Sequence, residues 1–154
     1  MISVVVPVFN EQDNIIELLN KIKNSISSED EIIVVDDGSK DLTYDRLKNF
    51  PCRILKHEIN LGKGQSLIDG INVAKGEIIM FIDGDGQDDP SEMPKLIDGI
   101  NKGYDFVIGS RFVEDKNKKI TRFTKTALSN VNWFGNKALT FIINFLFRLE
   151  IKDT

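Results

Sequence analysis

Residues 2–7 read Ile-Ser-Val-Val-Val-Pro, and residues 32–35 read Ile-Ile-Val-Val directly before Asp36-Asp37-Gly38-Ser39. Continuous β-branched runs of this kind are typical of strands that are buried on both faces, as in parallel sheets. Pro7 has no N–H for a ladder, so we predict that the first strand ends there. Between the two runs, apolar residues at helical spacing predict a helix from about Glu11 to Ile26.

The rest of the chain repeats this alternation. We predict further strands at 52–56, 77–82 and 105–109, and further helices at 41–50, 61–74, 90–101 and 128–148, the last as one long helix or two short ones. Strands that alternate with helices predict an α/β fold with a mostly parallel sheet flanked by helices. The length of 154 residues fits one domain.

Composition excludes several classes of site. One cysteine, Cys52, and one histidine, His57, leave no intrachain disulfide, cysteine zinc cluster or multi-histidine metal site, so a bound metal would be held mostly by oxygen. We interpret His57 as a structural residue without a partner cluster. The net charge of −4 does not favour nucleic acid as a partner.

The basic residues are concentrated near the end of the chain. Residues 116–149 hold seven of them and no acid, which leaves 13 bases against 24 acids elsewhere. Such a segment predicts a local anionic partner, either a phosphate or a membrane surface. The alternative is a positive face that only solvent contacts.

Polar clusters follow the predicted strands, at the edge of a parallel sheet where ligands bind. The richest is Asp83-Gly-Asp-Gly-Gln-Asp-Asp89, whose carboxylates would repel one another without a cation. Hard oxygen ligands suit Mg²⁺, Mn²⁺ or Ca²⁺, and Mg²⁺ needs only one or two carboxylates when substrate phosphates complete its shell. Asp88 and Asp89 have the simpler interpretation of a polar turn and helix cap before Pro90.

Two further clusters are candidates for ligand contact. Asp36 and Asp37 could accept hydrogen bonds from a base or ribose, or could form only a turn. The segment Asn60-Leu-Gly-Lys-Gly64 matches neither a P-loop nor a dinucleotide fingerprint. Its glycines still allow a close backbone approach, and Lys63 could meet a diphosphate.

Four motifs occur in order: Val4-Val-Pro-Val-Phe-Asn-Glu11, Val34-Val-Asp-Asp-Gly-Ser39, Asn60–Gly64 and Phe81–Pro90. Together they resemble the family 2 glycosyltransferases, which have the GT-A fold. Four further details resemble one branch of this family, the polyprenyl-phosphate branch, which includes dolichol-phosphate mannose synthase. They are Gln87, Gly109-Ser-Arg111, Gly135-Asn136 and Lys152-Asp153-Thr154. Because that family continues past the last motif, we expect residues 1–154 to be one catalytic domain that lacks its C-terminal part.

The resemblance implies a role for each matched residue. Asp85 and Gln87 would bind the metal, and the catalytic residues would be Asp85 and Asp153. The nucleotide would be bound by Pro7, Val8, Phe9, Glu11, Asp36, Asp37, Lys63, Asp83 and Gly84. The acceptor would be bound by Ser110, Arg111, Arg122 and Lys125.

The resemblance also implies a reaction. A sugar would pass from a UDP- or GDP-sugar to a polyprenyl phosphate, with Mg²⁺ or Mn²⁺ as cofactor and inversion at the anomeric carbon. The partners would be the nucleotide sugar, the lipid phosphate and a membrane surface, at the cytoplasmic face, with no nucleic acid. Two alternatives remain: a phosphatase of the haloacid-dehalogenase type, since Asp83-Gly-Asp-Gly resembles its motif, and a fragment that binds nucleotide sugar without turnover.

Overall fold

A parallel four-stranded sheet is the frame of residues 1–109, the part of the chain that our computed structural model describes. Its strands are β1 (Ile2–Val8), β2 (Glu31–Asp36), β3 (Arg53–Lys56) and β4 (Ile78–Phe81), in the spatial order β3-β2-β1-β4. The helices are α1 (Ile15–Ser25), α2 (Thr43–Leu47), α3 (Lys63–Val73) and α4 (Met93–Asn101), the last preceded by a 3₁₀ turn at Pro90–Glu92. The predicted α/β class is confirmed.

The register of the sheet follows from the β-branched runs. Val4 pairs with Ile32 and Val6 with Val34, so the two most apolar segments lie side by side in the centre. The strand runs one residue past Pro7, because the carbonyl of Val8 accepts the N–H of Asp37 at 2.8 Å. The predicted end at Pro7 was therefore one residue short.

Each face of the sheet has its own core. On one face, Val4 and Val6 pack with the buried residues of α1, among them Leu19. On the other, Val5 and the apolar residues of β2 pack with residues of α3. Gly70 permits the close approach of that helix, since a Cβ there would lie 2.3 Å from Val5 Cγ1.

The predicted fifth strand at 105–109 is wrong, because these residues form no strand in the structure. The segment Asp105-Phe-Val-Ile-Gly has the composition of a buried strand, but a strand also needs a neighbour for its N–H and C=O groups. The compact unit that carries the sheet extends from Met1 to Asp105. The predicted helix at 128–148 lies outside the described residues.

Helix α1 begins four residues later than predicted. Glu11 and the residues up to Asn14 form a turn, in which the carbonyl of Glu11 accepts the N–H groups of Asn14 and Ile15.

No helix in residues 1–109 has the length and apolar character needed to cross a bilayer.

Candidate functional site

A cavity of about 250 Å³ opens where β1, β2 and β4 end. It brings together most of the residues predicted to bind nucleotide or metal: Pro7, Val8, Phe9, Glu11, Asp37, Lys63, Asp83, Gly84 and Asp85. Sequence reasoning did not assign three further lining residues: Asn60, Gly62 and Ser66. Asn60 and Gly62 lie in the Asn60–Gly64 motif, whereas no sequence pattern marks Ser66.

Two loops interlock beside the cavity and place Phe9 and Glu11 in its wall. The N–H of Asn10 donates to Ser39 Oγ at 2.9 Å, and Asn10 Oδ1 accepts the N–H of Lys40 at 2.8 Å. Asn10 has a φ of 56°, a left-handed conformation that asparagine tolerates better than most residues. The loop after β1 is thus held by backbone and side-chain bonds to the loop after β2.

The carboxylate of Asp37 holds the turn that enters α3. Its Oδ1 accepts the N–H of Leu61 at 2.8 Å, and its Oδ2 accepts the N–H of Gly62 at 2.8 Å. Burial by itself would raise the pKa of Asp37, but the bonds from His57, Leu61 and Gly62 outweigh it, so the pKa lies below its ordinary value. Asp37 is therefore an ionised group at the cavity wall.

Asp36 differs from its neighbour. It is fully buried and does not line the cavity, and its Oδ1 accepts the N–H of Ser39 at 3.0 Å. Its Oδ2 is buried without a hydrogen-bond partner in the described part of the chain. Of the two candidates for the nucleotide, the structure places Asp37 at the cavity and Asp36 in the turn behind it.

The interpretation of His57 as a residue without a partner cluster is wrong. Its Nδ1 lies 2.7 Å from Asp37 Oδ1, and its Nε2 lies 3.1 Å from Asp69 Oδ2. These partners are 20 and 12 residues away in sequence, so only the folded chain brings them to the ring.

Lys63 connects the two sides of the cavity. It is the first residue of α3, directly after Gly62, and its Nζ lies 2.5 Å from Asp83 Oδ1. Both side chains are accessible, with 59% of Lys63 and 36% of Asp83 exposed. An anion that entered the cavity would therefore meet a lysine that can turn towards it.

The Asp83-Gly84-Asp85 turn comes close to β1. A Cβ on Gly84 would lie 2.7 Å from the carbonyl oxygen of Pro7, so only glycine fits there. Asp85 Oδ1 accepts the N–H of Gln87 at 3.0 Å, whereas Gln87 itself is exposed and does not line the cavity. The predicted cap is confirmed, because Asp89 Oδ1 accepts the N–H of Ser91 at 3.0 Å.

The donor set fits a hard cation that shares its coordination with a ligand. Four carboxylates line the cavity, and two of them, those of Asp83 and Asp85, lie in the same turn. Among residues 1–109, no group of three His, Cys, Asp or Glu side chains could hold a metal by itself. This arrangement suits Mg²⁺ or Mn²⁺, which bind through one or two carboxylates and substrate phosphates.

The remaining predicted site residues lie outside the described residues. They are the acceptor candidates Ser110, Arg111, Arg122 and Lys125, and the catalytic candidate Asp153. Their roles stay predictions.

The sequence profile of Glycosyl transferase family 2 matches residues 3–152, nearly the whole chain. The chain belongs to this family. The resemblance inferred from the four motifs is thereby confirmed, and so is the GT-A type of fold, since glycosyltransferases of known structure share it.

Two curated relatives are named for lipid-phosphate acceptors. The dolichol-phosphate mannosyltransferase of Pyrococcus furiosus is 35% identical over 118 residues, which cover 73% of this chain and 34% of that protein. The undecaprenyl-phosphate 4-deoxy-4-formamido-L-arabinose transferase of Proteus mirabilis is 34% identical over 146 residues, which cover 89% of this chain and 44% of that protein. This chain thus spans less than half the length of these relatives.

Similar structures contain nucleotide and metal. Glucosyl-3-phosphoglycerate synthase from Mycobacterium tuberculosis, in complex with Mn²⁺, UDP and phosphoglyceric acid, gives a TM-score of 0.58 at 30% identity, covering 65% of this chain and 38% of that one. A mannosyltransferase from Pyrobaculum calidifontis, in complex with GDP-Man and Mn²⁺, gives a TM-score of 0.52 at 27% identity, covering 55% of this chain and 27% of that one.

Proposed function

We propose that this chain carries the donor site of an inverting, metal-dependent glycosyltransferase that moves a sugar from a nucleoside diphosphate sugar to a polyprenyl phosphate. The observation that carries the proposal is the composition of one cavity. It combines an ionised Asp37, an accessible Lys63 and the two carboxylates of the Asp83–Asp85 turn. A ligand that satisfies all of these groups needs hydrogen-bond donors at one end and a diphosphate with a cation at the other.

Asp37 is suited to the nucleoside. Its Oδ2 accepts one bond, from Gly62, and a carboxylate oxygen has two lone pairs. A ribose hydroxyl or a base N–H can use the other lone pair. Phe9 lines the same cavity and offers an exposed aromatic ring, which gives a base an apolar surface to lie against.

Lys63 and the Asp83–Asp85 turn are suited to the diphosphate. Asp85 and Asp83 would hold Mg²⁺ or Mn²⁺, and the N–H of Gln87 orients Asp85 for this. When bound, such an ion neutralises the charge that builds up on the leaving diphosphate. Lys63 exchanges Asp83 for a phosphate oxygen, which adds a second positive group at the leaving group.

The acceptor end of the proposal rests on the relatives and on the basic segment. Both curated relatives are named for polyprenyl phosphates, and residues 116–149 hold seven basic residues without an acid. A phosphate monoester has a second pKa of about 6, so it is an ionised nucleophile at neutral pH and needs less help from a general base. Direct attack by it on the anomeric carbon displaces the nucleotide with inversion.

The same acceptor implies work at a membrane surface, because a polyprenyl chain stays in the bilayer. Ser110, Arg111, Arg122 and Lys125 are the proposed contacts for its phosphate, with Asp153 near the reacting atoms. Two parallel bonds from an arginine to a phosphate would fix the direction of attack.

The test is a thermal-shift panel of UDP- and GDP-sugars with and without Mn²⁺, followed by assay of transfer to undecaprenyl phosphate. A ligand at about 100 times its Kd stabilises the native state by about 2.7 kcal/mol, which is a shift of roughly 5–10 °C at this size. We expect one nucleotide series to give this shift, and only with Mn²⁺. As a control, the variant Asp98→Asn changes an exposed carboxylate on α4 that does not line the cavity, and it should bind nucleotide as the parent does.

Three other outcomes decide against the proposal. Release of phosphate from a simple phosphate ester without any nucleotide sugar would identify the phosphatase alternative. A full thermal shift without transfer would leave a module that binds nucleotide sugar. No shift with any nucleotide would remove the donor site itself.

A further inference from the structure

His57 lies between two carboxylates that belong to different elements. It directly follows β3, and its N–H donates to the carbonyl of Asp36 at 2.9 Å, which fixes the start of its side chain. The ring then reaches Asp37 at the end of β2 with one nitrogen and Asp69 on α3 with the other. Only 12% of the side chain is exposed.

Both nitrogens of the His57 ring have a carboxylate partner. Asp37 is ionised and accepts three hydrogen bonds, and Asp69 Oδ1 accepts a hydrogen bond from Gln65 Nε2 at 3.0 Å. The two ring nitrogens of His57 thus lie 2.7 and 3.1 Å from two carboxylates, so the ring links the two elements that carry them.

We infer that His57 is a positioning residue of the donor site, which fixes Asp37, and through it the turn at 60–62, by bridging Asp37 to Asp69. The inference rests on the proposed function, since it takes the cavity beside Asp37 to be the donor cavity. His57 does not line that cavity and acts through Asp37 alone.

The reach of this bridge follows from what Asp37 holds. Asp37 accepts the N–H groups of Leu61 and Gly62. Gly62 has a φ of 90°, a backbone conformation that favours glycine, and the two hydrogen bonds hold the turn there. Asn60, Gly62 and Lys63 all line the cavity. Without the His57 ring, Asp37 keeps its charge in a buried place with one hydrogen bond fewer, and the turn loses a fixed anchor.

Asp69→Asn is the most informative variant. Asp69 is 32% exposed and does not line the cavity, so it acts on nucleotide binding through its partners His57 and Gln65, of which only His57 contacts Asp37. We expect the Kd of the nucleotide that the parent binds, measured by calorimetry with Mn²⁺, to rise about threefold. His57→Ala should raise it about tenfold, the effect of one charged hydrogen bond, and His57→Gln should restore part of it, since an amide can still donate to Asp37.

Two controls separate positioning from general stability. Glu58→Gln changes the exposed neighbour of His57, which does not line the cavity, and should leave the Kd unchanged. Because the chain has one histidine, ¹⁵N NMR of the imidazole reports on His57 alone. We expect the signals of the two ring nitrogens to move when nucleotide binds.

The outcomes are distinguishable. If the parent binds no nucleotide with Mn²⁺, the proposed function fails and this inference fails with it. If the parent binds and the His57 and Asp69 variants melt earlier but keep its Kd, the inference alone is overturned and His57 only stabilises the fold. A raised Kd with the partial recovery by His57→Gln supports it.

Discussion

The two aspartate-rich turns at the cavity look alike in sequence and differ in the folded chain. Asp36-Asp37-Gly38 follows β2, and its carboxylates are buried and engaged by N–H groups and by His57. Asp83-Gly84-Asp85 follows β4, and its carboxylates are partly exposed and open to the cavity. Most hydrogen-bonding capacity of the first turn is used within the protein, whereas both carboxylates of the second turn line the cavity.

The difference has a physical cause in the sheet. Strand β2 lies between β1 and β3, so the turn after it is surrounded by neighbouring loops. Within residues 1–109, strand β4 pairs only with β1, so in this part of the chain the turn after β4 has a neighbouring strand on one side only. The same residue type is thus a structural acceptor in the middle of the sheet and a candidate ligand at its edge.

The largest expected effect is that of Asp85→Ala on metal-dependent nucleotide binding. We expect the Kd of the nucleotide with Mn²⁺ to rise at least about 100-fold, because even partners outside the first shell of a metal are worth 10–100-fold. The melting temperature without ligand should stay near that of the parent, since Asp85 is partly exposed. Calorimetry with and without Mn²⁺ makes the comparison, with Asp98→Ala as the control. Parent-like binding would end the assignment of the second turn to the ligand.

Asp37→Asn should affect both folding and binding. The amide keeps one oxygen for Leu61 or Gly62 but cannot accept both N–H groups and pair with His57. We expect a loss of about 2 kcal/mol in the free energy of unfolding, typical of a charged hydrogen bond, and a roughly tenfold weaker nucleotide. Urea unfolding and calorimetry measure the two effects on one sample.

Asp36→Asn is the matched variant for this pair. Asp36 does not line the cavity, so its substitution should change stability with less than about a twofold change in Kd. If Asp36→Asn weakens the nucleotide and Asp37→Asn does not, the wrong member of the pair has been assigned to the ligand.

Acid should weaken the first turn through Asp37. Its pKa is lowered in the folded chain, so its charged form stabilises the fold above the ordinary value of 3.8, and this contribution is lost as the pH falls through the lowered pKa. Unfolding free energies of the parent should therefore fall below about pH 4, and those of Asp37→Asn should fall less steeply. Equal slopes would mean that the hydrogen bonds to Asp37 do not favour its ionised form. Asp30, Glu31 and Asp41 also have lowered pKa values, so some acid sensitivity remains in the variant.

Much of this arrangement could be predicted from the sequence, because it depends on local patterns. Continuous β-branched runs identified the central strands, and the rule that ligands bind at the carboxyl ends of parallel strands placed the polar clusters together. Nine of the predicted nucleotide or metal residues line one cavity for that reason.

What the sequence did not predict depends on partners that are distant in the chain. His57 contacts Asp37, directly after β2, and Asp69 on α3 only once both elements have packed, and Asn10 contacts Ser39 only across two loops. The strand expected at 105–109 failed for the same reason, since composition indicates a strand but does not provide its neighbour. Asp36 and Asp37 could not be separated, because the choice depends on which one faces the cavity.

Among the cavity residues Asp85, Asp37 and Lys63, the smallest effect is expected for Lys63→Met, which tests whether the two turns act on one ligand. Lys63 directly follows Gly62, which Asp37 holds, and its ammonium group contacts Asp83 of the other turn. Because both side chains of that pair are well exposed, the contact should contribute less than about 0.5 kcal/mol to folding. A diphosphate in the cavity excludes water from the Lys63 ammonium group, which strengthens their contact. Loss of this ammonium group in Lys63→Met should therefore raise the Kd of nucleotide about threefold to tenfold. It should also reduce the dependence of that Kd on salt. Lys95→Met removes a lysine from a more exposed ion pair at the start of α4 and should change neither the Kd nor its dependence on salt. If Lys63→Met binds nucleotide with the affinity of the parent, the Lys63–Asp83 contact is only a surface ion pair. Lys63 would then not join the two turns at one ligand.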